Sequence, residues 1–173
     1  EIDGGALDDY NLKLSGDFGT LTFDGHGGSS ALGAIDDKTP NAYEEPWAVM
    51  DTNGATAGGT PTVINGAGGD NMFIYTSPSM GGAVVQAAYQ NHGADAAESY
   101  MDFSIVVSPE GMDGLTFGFG SADHKITAST VDVAETTMFA TYAMGAFTFG
   151  IQSSDYDSDT ASSDLESVQY GIS

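Results

Sequence analysis

The stretch DYDSDTASSDLE, residues 155–166, carries the most pointed chemistry in the chain. Asp155, Asp157, Asp159 and Glu166 stand at the first, third, fifth and twelfth positions of a twelve-residue calcium loop. Oxygen-only ligands at that spacing suit Ca²⁺ or Mg²⁺. Thr160 stands where such a loop needs glycine for its sharp turn, and strand-like sequence flanks it. The expectation is therefore a Ca²⁺ or Mg²⁺ site among acidic loop carboxylates, or else a solvated acidic loop, and no cofactor is required. His26, His92 and His124 are far apart and lack the His/Glu spacing of a zinc site. Serines are many, but none sits in a G-x-S-x-G elbow between strand and helix. The Gly-rich NGAGGDN, residues 65–71, precedes a strand and not a helix, so it does not build a phosphate cradle. No constellation supports an enzyme.

The composition narrows the setting for these residues. Twenty-five Asp and Glu face three basic residues in a chain of 173, for a net charge of −22. The bases are Lys13, Lys38 and Lys125, and arginine is absent. Phosphate contacts need Lys and Arg, so nucleic acid is excluded as a partner. There is no cysteine, hence no disulfide and no thiol chemistry. Mean hydropathy is −0.12, and no apolar run is long enough for a membrane-spanning helix. A membrane-spanning barrel is compatible, because its strands alternate apolar and polar residues. The chain opens on Glu1 and closes on Ser173 within strand-like SVQYGIS, which reads as a fragment or a processed product.

Positioning falls to strands. Leu12 and Leu14 oppose Asn11, Lys13 and Ser15; Leu21 and Phe23 oppose Thr20, Thr22 and Asp24. The same two-residue period recurs in AVVQAAYQ, MDFSIVVS, LTFGFG, FTFGIQ and VQYGIS. With the less clean 71–77 and the segment 137–143 left between two connections, nine strand candidates result. Short connections (16–19, 78–82, 109–113, 144–146) alternate with long ones (26–70, 91–99, 123–136, 154–166). The fold class is all-β and antiparallel, with tight turns at one end and acidic loops at the other.

The polar face of these strands is rich in Thr, Ser, Gln, Asn and Gly, with few charges. That composition suits a water-filled lumen better than the exterior of a soluble sheet. Tyr10, Phe18, Phe23, Tyr75, Tyr89, Tyr100, Tyr142 and Tyr170 sit near strand ends, where an interfacial aromatic girdle is expected. The competing architecture is a soluble β-sandwich, which alternates in the same way.

Local phrases decide the expectation. LKLSGDFGTLTF, residues 12–23, resembles the hairpin of Gram-negative general porins, as do DNMFIYTSPSMGGAVVQAAY at 70–89, MGAFTFGIQ and SVQYGIS. The overall flavour is similar to alphaproteobacterial porins. The resemblance implies an up-and-down transmembrane β-barrel of about 16 strands, of which residues 1–173 would supply part as one domain. It implies a homotrimer in the outer membrane, with lipid, small hydrophilic solutes and ions as partners. It also implies that the long loop 26–70 folds inward and narrows the pore. The pore-constriction candidates are then Asp36, Asp37, Glu44, Glu45 and Asp51, with Lys13 on the pore wall. YEEPWAVMD replaces the family's Pro-Glu-Phe-Gly-Gly loop tip, and the usual basic cluster on the wall is not visible.

The function expected is passive diffusion through a wet channel, with weak cation preference set by the loop carboxylates. The alternative is a secreted, calcium-stabilised β-sandwich or adhesin-type binding module, which would fold in buffer with metal and without detergent.

Overall fold

The computed structural model describes residues 2–3, 6–7, 9–40, 64, 66–69, 71–91, 99–125, 132–159 and 164–173. A minimal hairpin, β1 (Ile2–Asp3) and β2 (Ala6–Leu7), precedes β3 (Tyr10–Gly16) and β4 (Gly19–His26). β5 (Gly28–Ser29) and β6 (Gly68–Gly69) pair with each other and lead to β7 (Met72–Thr76). β8 (Ala83–Gln90), β9 (Tyr100–Val107), β10 (Leu115–Lys125), β11 (Asp132–Met144), β12 (Phe147–Ser158) and β13 (Leu165–Ile172) follow. No helix occurs among the described residues.

Nine strands form one antiparallel sheet in the order β13-β12-β11-β10-β9-β8-β7-β4-β3. Each pairs with its neighbour in the chain, interrupted only where β5 and β6 close the base of the long loop. The sheet is open, with β3 and β13 at its edges. The nine strands expected are all present.

Register carries the alternation across the whole sheet. Leu21, Tyr75, Ala87, Phe103 and Ser121 are successive cross-strand partners on one face. So are Leu14, Leu21 and Tyr75, and likewise Tyr142, Phe149 and Ile172. This face leaves large side chains uncovered: Leu12 is 71% exposed, Met101 63% and Tyr170 74%. Keeping one such side chain in water costs about 1.5–3 kcal/mol relative to an apolar surrounding, so the face is built for an apolar neighbour. Among the described residues no second sheet lies against it, which disfavours the sandwich alternative.

The opposite face carries Lys13, Thr22, Gln86, Asp102, Ser104, Thr137, Gln152, Ser154 and Gln169. Here burial comes from a chain segment lying on the sheet. Gln152 and Thr137 are each 1% exposed, and Ser104 is 1%.

Three expectations need correction. The connections placed at 123–136 and 154–166 shrink to 126–131 and 159–164, because β10, β11 and β12 run further than the pattern showed. In those extensions the apolar-face positions are Ser121, Asp123, Thr136, Asp155 and Asp157, so the hydrophobic period vanishes while the ladder continues. Tyr100 is not a girdle residue: it lies on the polar face and is 4% exposed. The turns match expectation. Gly145, at φ 65, is the first of two residues joining β11 to β12, a backbone that favours glycine and that fits a type II′ hairpin.

Candidate functional site

The long connection between β4 and β7 begins with a clamp. Gly28 and Ser29 pair with Gly69 and Gly68, drawing the two ends of the loop together. Residues 30–40 then cross the polar face of the sheet. The chain turns at once, with the Ala34 N–H donating to Ser30 O and the Ile35 N–H to Leu32 O.

The first anchor is on β9. Asp102, 3% exposed, accepts the Ala31 N–H at 3.2 Å and the Leu32 N–H at 2.7 Å. The Tyr100 hydroxyl donates to the same carboxylate at 2.9 Å. Ser30 Oγ accepts from the Gly33 and Ala67 N–H groups, joining both limbs of the loop. Beside these bonds Leu32 and Ile64 pack with Tyr100 and Ala122 in a small buried cluster. Gly120 leaves room for it, since a Cβ there would stand 2.8 Å from Leu32 Cδ1 and from Ile35 Cδ1.

The second anchor is on β12 and β13. Gln152 Oε1 accepts the Lys38 N–H at 2.7 Å. Its Nε2 donates to Ile35 O at 2.9 Å, to Asp36 O at 2.8 Å and to Thr137 Oγ1 at 3.0 Å. Gln169, the cross-strand partner of Gln152, accepts from the Thr39 hydroxyl at 3.4 Å. Gly150 and Gly171 are also cross-strand partners. A Cβ on Gly150 would strike Pro40 Cδ, and one on Gly171 would strike the Pro40 carbonyl oxygen.

The loop candidates divide. Asp36 and Asp37 are half-buried on this segment, with Lys38 exposed beside them. Burial holds the Asp36 carboxyl above the usual carboxylate range; the Asp37 charge adds to this, while the Asp37 N–H and Lys38 oppose it. Burial raises Asp37 likewise, against the pull of Lys38 and the Thr39 N–H. Asp37 Oδ1 has no hydrogen-bond partner among the described residues. Glu44, Glu45 and Asp51 lie outside the described residues.

Lys13 stands on the polar face of edge strand β3. Register runs from it through Thr22, Ile74 and Ala88 to Asp102, and on through Ala122 to Glu135. Lys13, Asp102 and Glu135 thus occupy a single cross-strand row. Glu135 is 9% exposed, and its Oε2 has no hydrogen-bond partner among the described residues.

The four metal candidates are not one loop. Asp155 and Asp157 lie on β12, Glu166 lies on β13 opposite Asp155, and Asp159 sits at the bend beyond β12. Asp155, Asp157 and Glu166 share the apolar face at its loop end. Among the described residues no three His, Asp or Glu side chains converge in a metal-holding group.

The anchors Asp102, Tyr100 and Gln152 were missed as site residues by the sequence reading. Asp102 and Gln152 were legible only as members of a polar face. The one available signal for Asp102 is a charge among the uncharged Ser and Val of its strand.

This arrangement is a polar wall with residues 30–40 seated on it, backed by an apolar face. A family model described as Gram-negative porin matches residues 2–173. The chain belongs to that family. No curated protein matches it. Membership makes this porin an outer-membrane channel protein. No helix among the described residues is long and apolar enough to cross a membrane; a porin crosses with strands.

Proposed function

We propose that this porin conducts small hydrophilic solutes and ions by passive diffusion, with a weak preference for cations. The observation that carries the selectivity is the seating of Asp36 and Asp37 on the polar wall, held by Gln152 and flanked by one lysine. Carboxylates fixed in a narrow, partly desolvated passage attract cations and repel anions. No chemistry is asked of the protein. Thr, Ser and Gln on the wall tolerate water and solute, and strand pairing satisfies the backbone.

Closure of the lumen requires partners for the open edges β3 and β13, which further strands of the barrel supply. Outer-membrane lipid covers the apolar face, and part of that face serves contacts in a homotrimer. Supporting this is the row of uncovered Leu, Phe, Met and Tyr side chains from Leu12 to Ile172.

The test is the full-length protein in a planar bilayer under a KCl gradient. Cation-selective steps are expected. Replacing Asp36 and Asp37 together by Asn should move the reversal potential toward zero; an unchanged potential would remove these two residues from the selectivity.

A further inference from the structure

Two of the bonds made by Gln152 fall on consecutive carbonyls, those of Ile35 and Asp36, and a third falls on the Lys38 N–H. They bracket Asp36 and Asp37 from both sides. The bracket demands donors and an acceptor on one planar group. A primary amide meets that demand; a carboxylate cannot donate and an ammonium cannot accept. Its orientation follows from its partners, since the reverse would set Oε1 against two carbonyl oxygens.

On the wall side, Gln152 is steered by Thr137. Nε2 donates to Thr137 Oγ1, and that hydroxyl shares a 2.8 Å hydrogen bond with Ser154 Oγ. The amide is 1% exposed, where an unmatched polar group costs about 1–3 kcal/mol. Leaving the wall is therefore costly for both the glutamine and the loop. Gln169, Gly150 and Gly171 extend the same cradle under Thr39 and Pro40.

We propose that Gln152 is the positioning residue for the selectivity of this channel: it fixes where the Asp36–Lys38 stretch stands in the lumen. The proposal rests on the channel reading above. Asp102 secures the start of the loop, but its bonds end at Leu32. Gln152 alone, among the described residues, bonds to the backbone on both sides of the two acids.

The experiment uses the full-length protein with Gln152→Met, which keeps the length of the side chain and removes its donors and acceptor. Thr137→Val is the milder companion, removing only the steering hydroxyl. Two readouts are taken. Reversal potential under a KCl gradient should fall toward zero in Gln152→Met, and fall less in Thr137→Val, with open-channel noise rising in the same order. A nitroxide on Lys38→Cys, placed in a chain that has no other cysteine in this sequence, should become more mobile in both variants in detergent. If Gln152→Met does not assemble, Thr137→Val decides. Unchanged label mobility and unchanged potential in the assembled variants would overturn the assignment. Absence of steps from the unsubstituted protein would instead sink the channel reading, while the label still reports whether Gln152 holds the loop.

Discussion

Leu32 and Asp102 stand 70 residues apart in sequence, yet the Leu32 N–H donates to Asp102 Oδ2 at 2.7 Å. A loop turn and a strand of the wall are thereby joined through a charged acceptor buried under the loop. Charge-assisted bonds of this kind are about twice as strong as neutral ones.

Asp102→Ala should therefore orphan the Ala31 and Leu32 N–H groups and take from the Tyr100 hydroxyl its carboxylate acceptor, leaving it Ser30 Oγ. Each buried group left unmatched costs about 1–3 kcal/mol, and the loss falls on loop seating more than on the strands. Thermal unfolding in detergent should show a lower midpoint, and Asp102→Asn should lose less, because its amide oxygen still accepts one N–H. Equal midpoints for parent and Asp102→Ala would contradict the anchor.

Asp36 and Asp37 both have carboxyl pKa values raised above the ordinary 3.8 by burial. The seated loop therefore binds protons more readily than the released one. Between the ordinary and the raised pKa, the folded state holds more protons, so stability falls as pH rises through that window. Acidification should seat the loop more firmly while neutralising the charges to which the proposed cation preference is assigned. Reversal potential measured from pH 7 downward should decline before an ordinary solvated aspartate would titrate. A decline only below pH 3.8 would contradict the burial.

The glycine seat makes a packing prediction. Gly150→Ala and Gly171→Ala each put a methyl group into Pro40, and overpacking costs about 1–3 kcal/mol. Gly81→Ala is a poor control for this, because Gly81 has φ 61 and its substitution strains the backbone despite open space. The better comparison is Ala140→Gly on the apolar face, which removes a methyl without touching the loop. Only the two seat variants should increase spin-label mobility at Lys38→Cys.

The two faces of β12 carry opposite chemistry at adjacent residues. Phe149 is on the apolar face and Thr148 on the polar one. With lipid against the apolar face, Phe149→Lys should be destabilising and lower the refolding yield in lipid. Thr148→Lys should assemble and shift the reversal potential toward anions. Similar refolding yields for both would contradict the facing assigned here.

Asp155 and Glu166 are directly opposite on β12 and β13, and like charges so placed destabilise a strand pair. Asp155→Asn should raise the thermal midpoint at low salt, and millimolar Mg²⁺ or Ca²⁺ should stabilise the parent more than the variant. A lower midpoint for Asp155→Asn, without added metal, would show that the pair is not repulsive.

Much of the sheet was legible because a two-residue period needs only the chain itself. Leu21 against Thr22, or Phe149 against Gly150, states the facing of each strand before any partner is known. The period fails above the apolar band, where Ser121, Asp123, Asp155 and Asp157 face outward as polar residues; there, acidic sequence on paired strands read as loop. The anchors failed for a different reason. Asp102 and Gln152 look like any polar wall residue in sequence, and their distinction lies in contacts to residues 31–38, which no local pattern encodes. Tyr100 was misassigned because strand-end position alone cannot say which face an aromatic ring takes.

The channel itself is tested most directly by adding the full-length protein, refolded in detergent, to a planar bilayer under a KCl gradient and recording the reversal potential of single steps. Discrete steps with a cation-selective potential are the predicted result. A protein that stays soluble without detergent and gives no steps would contradict the account at its centre.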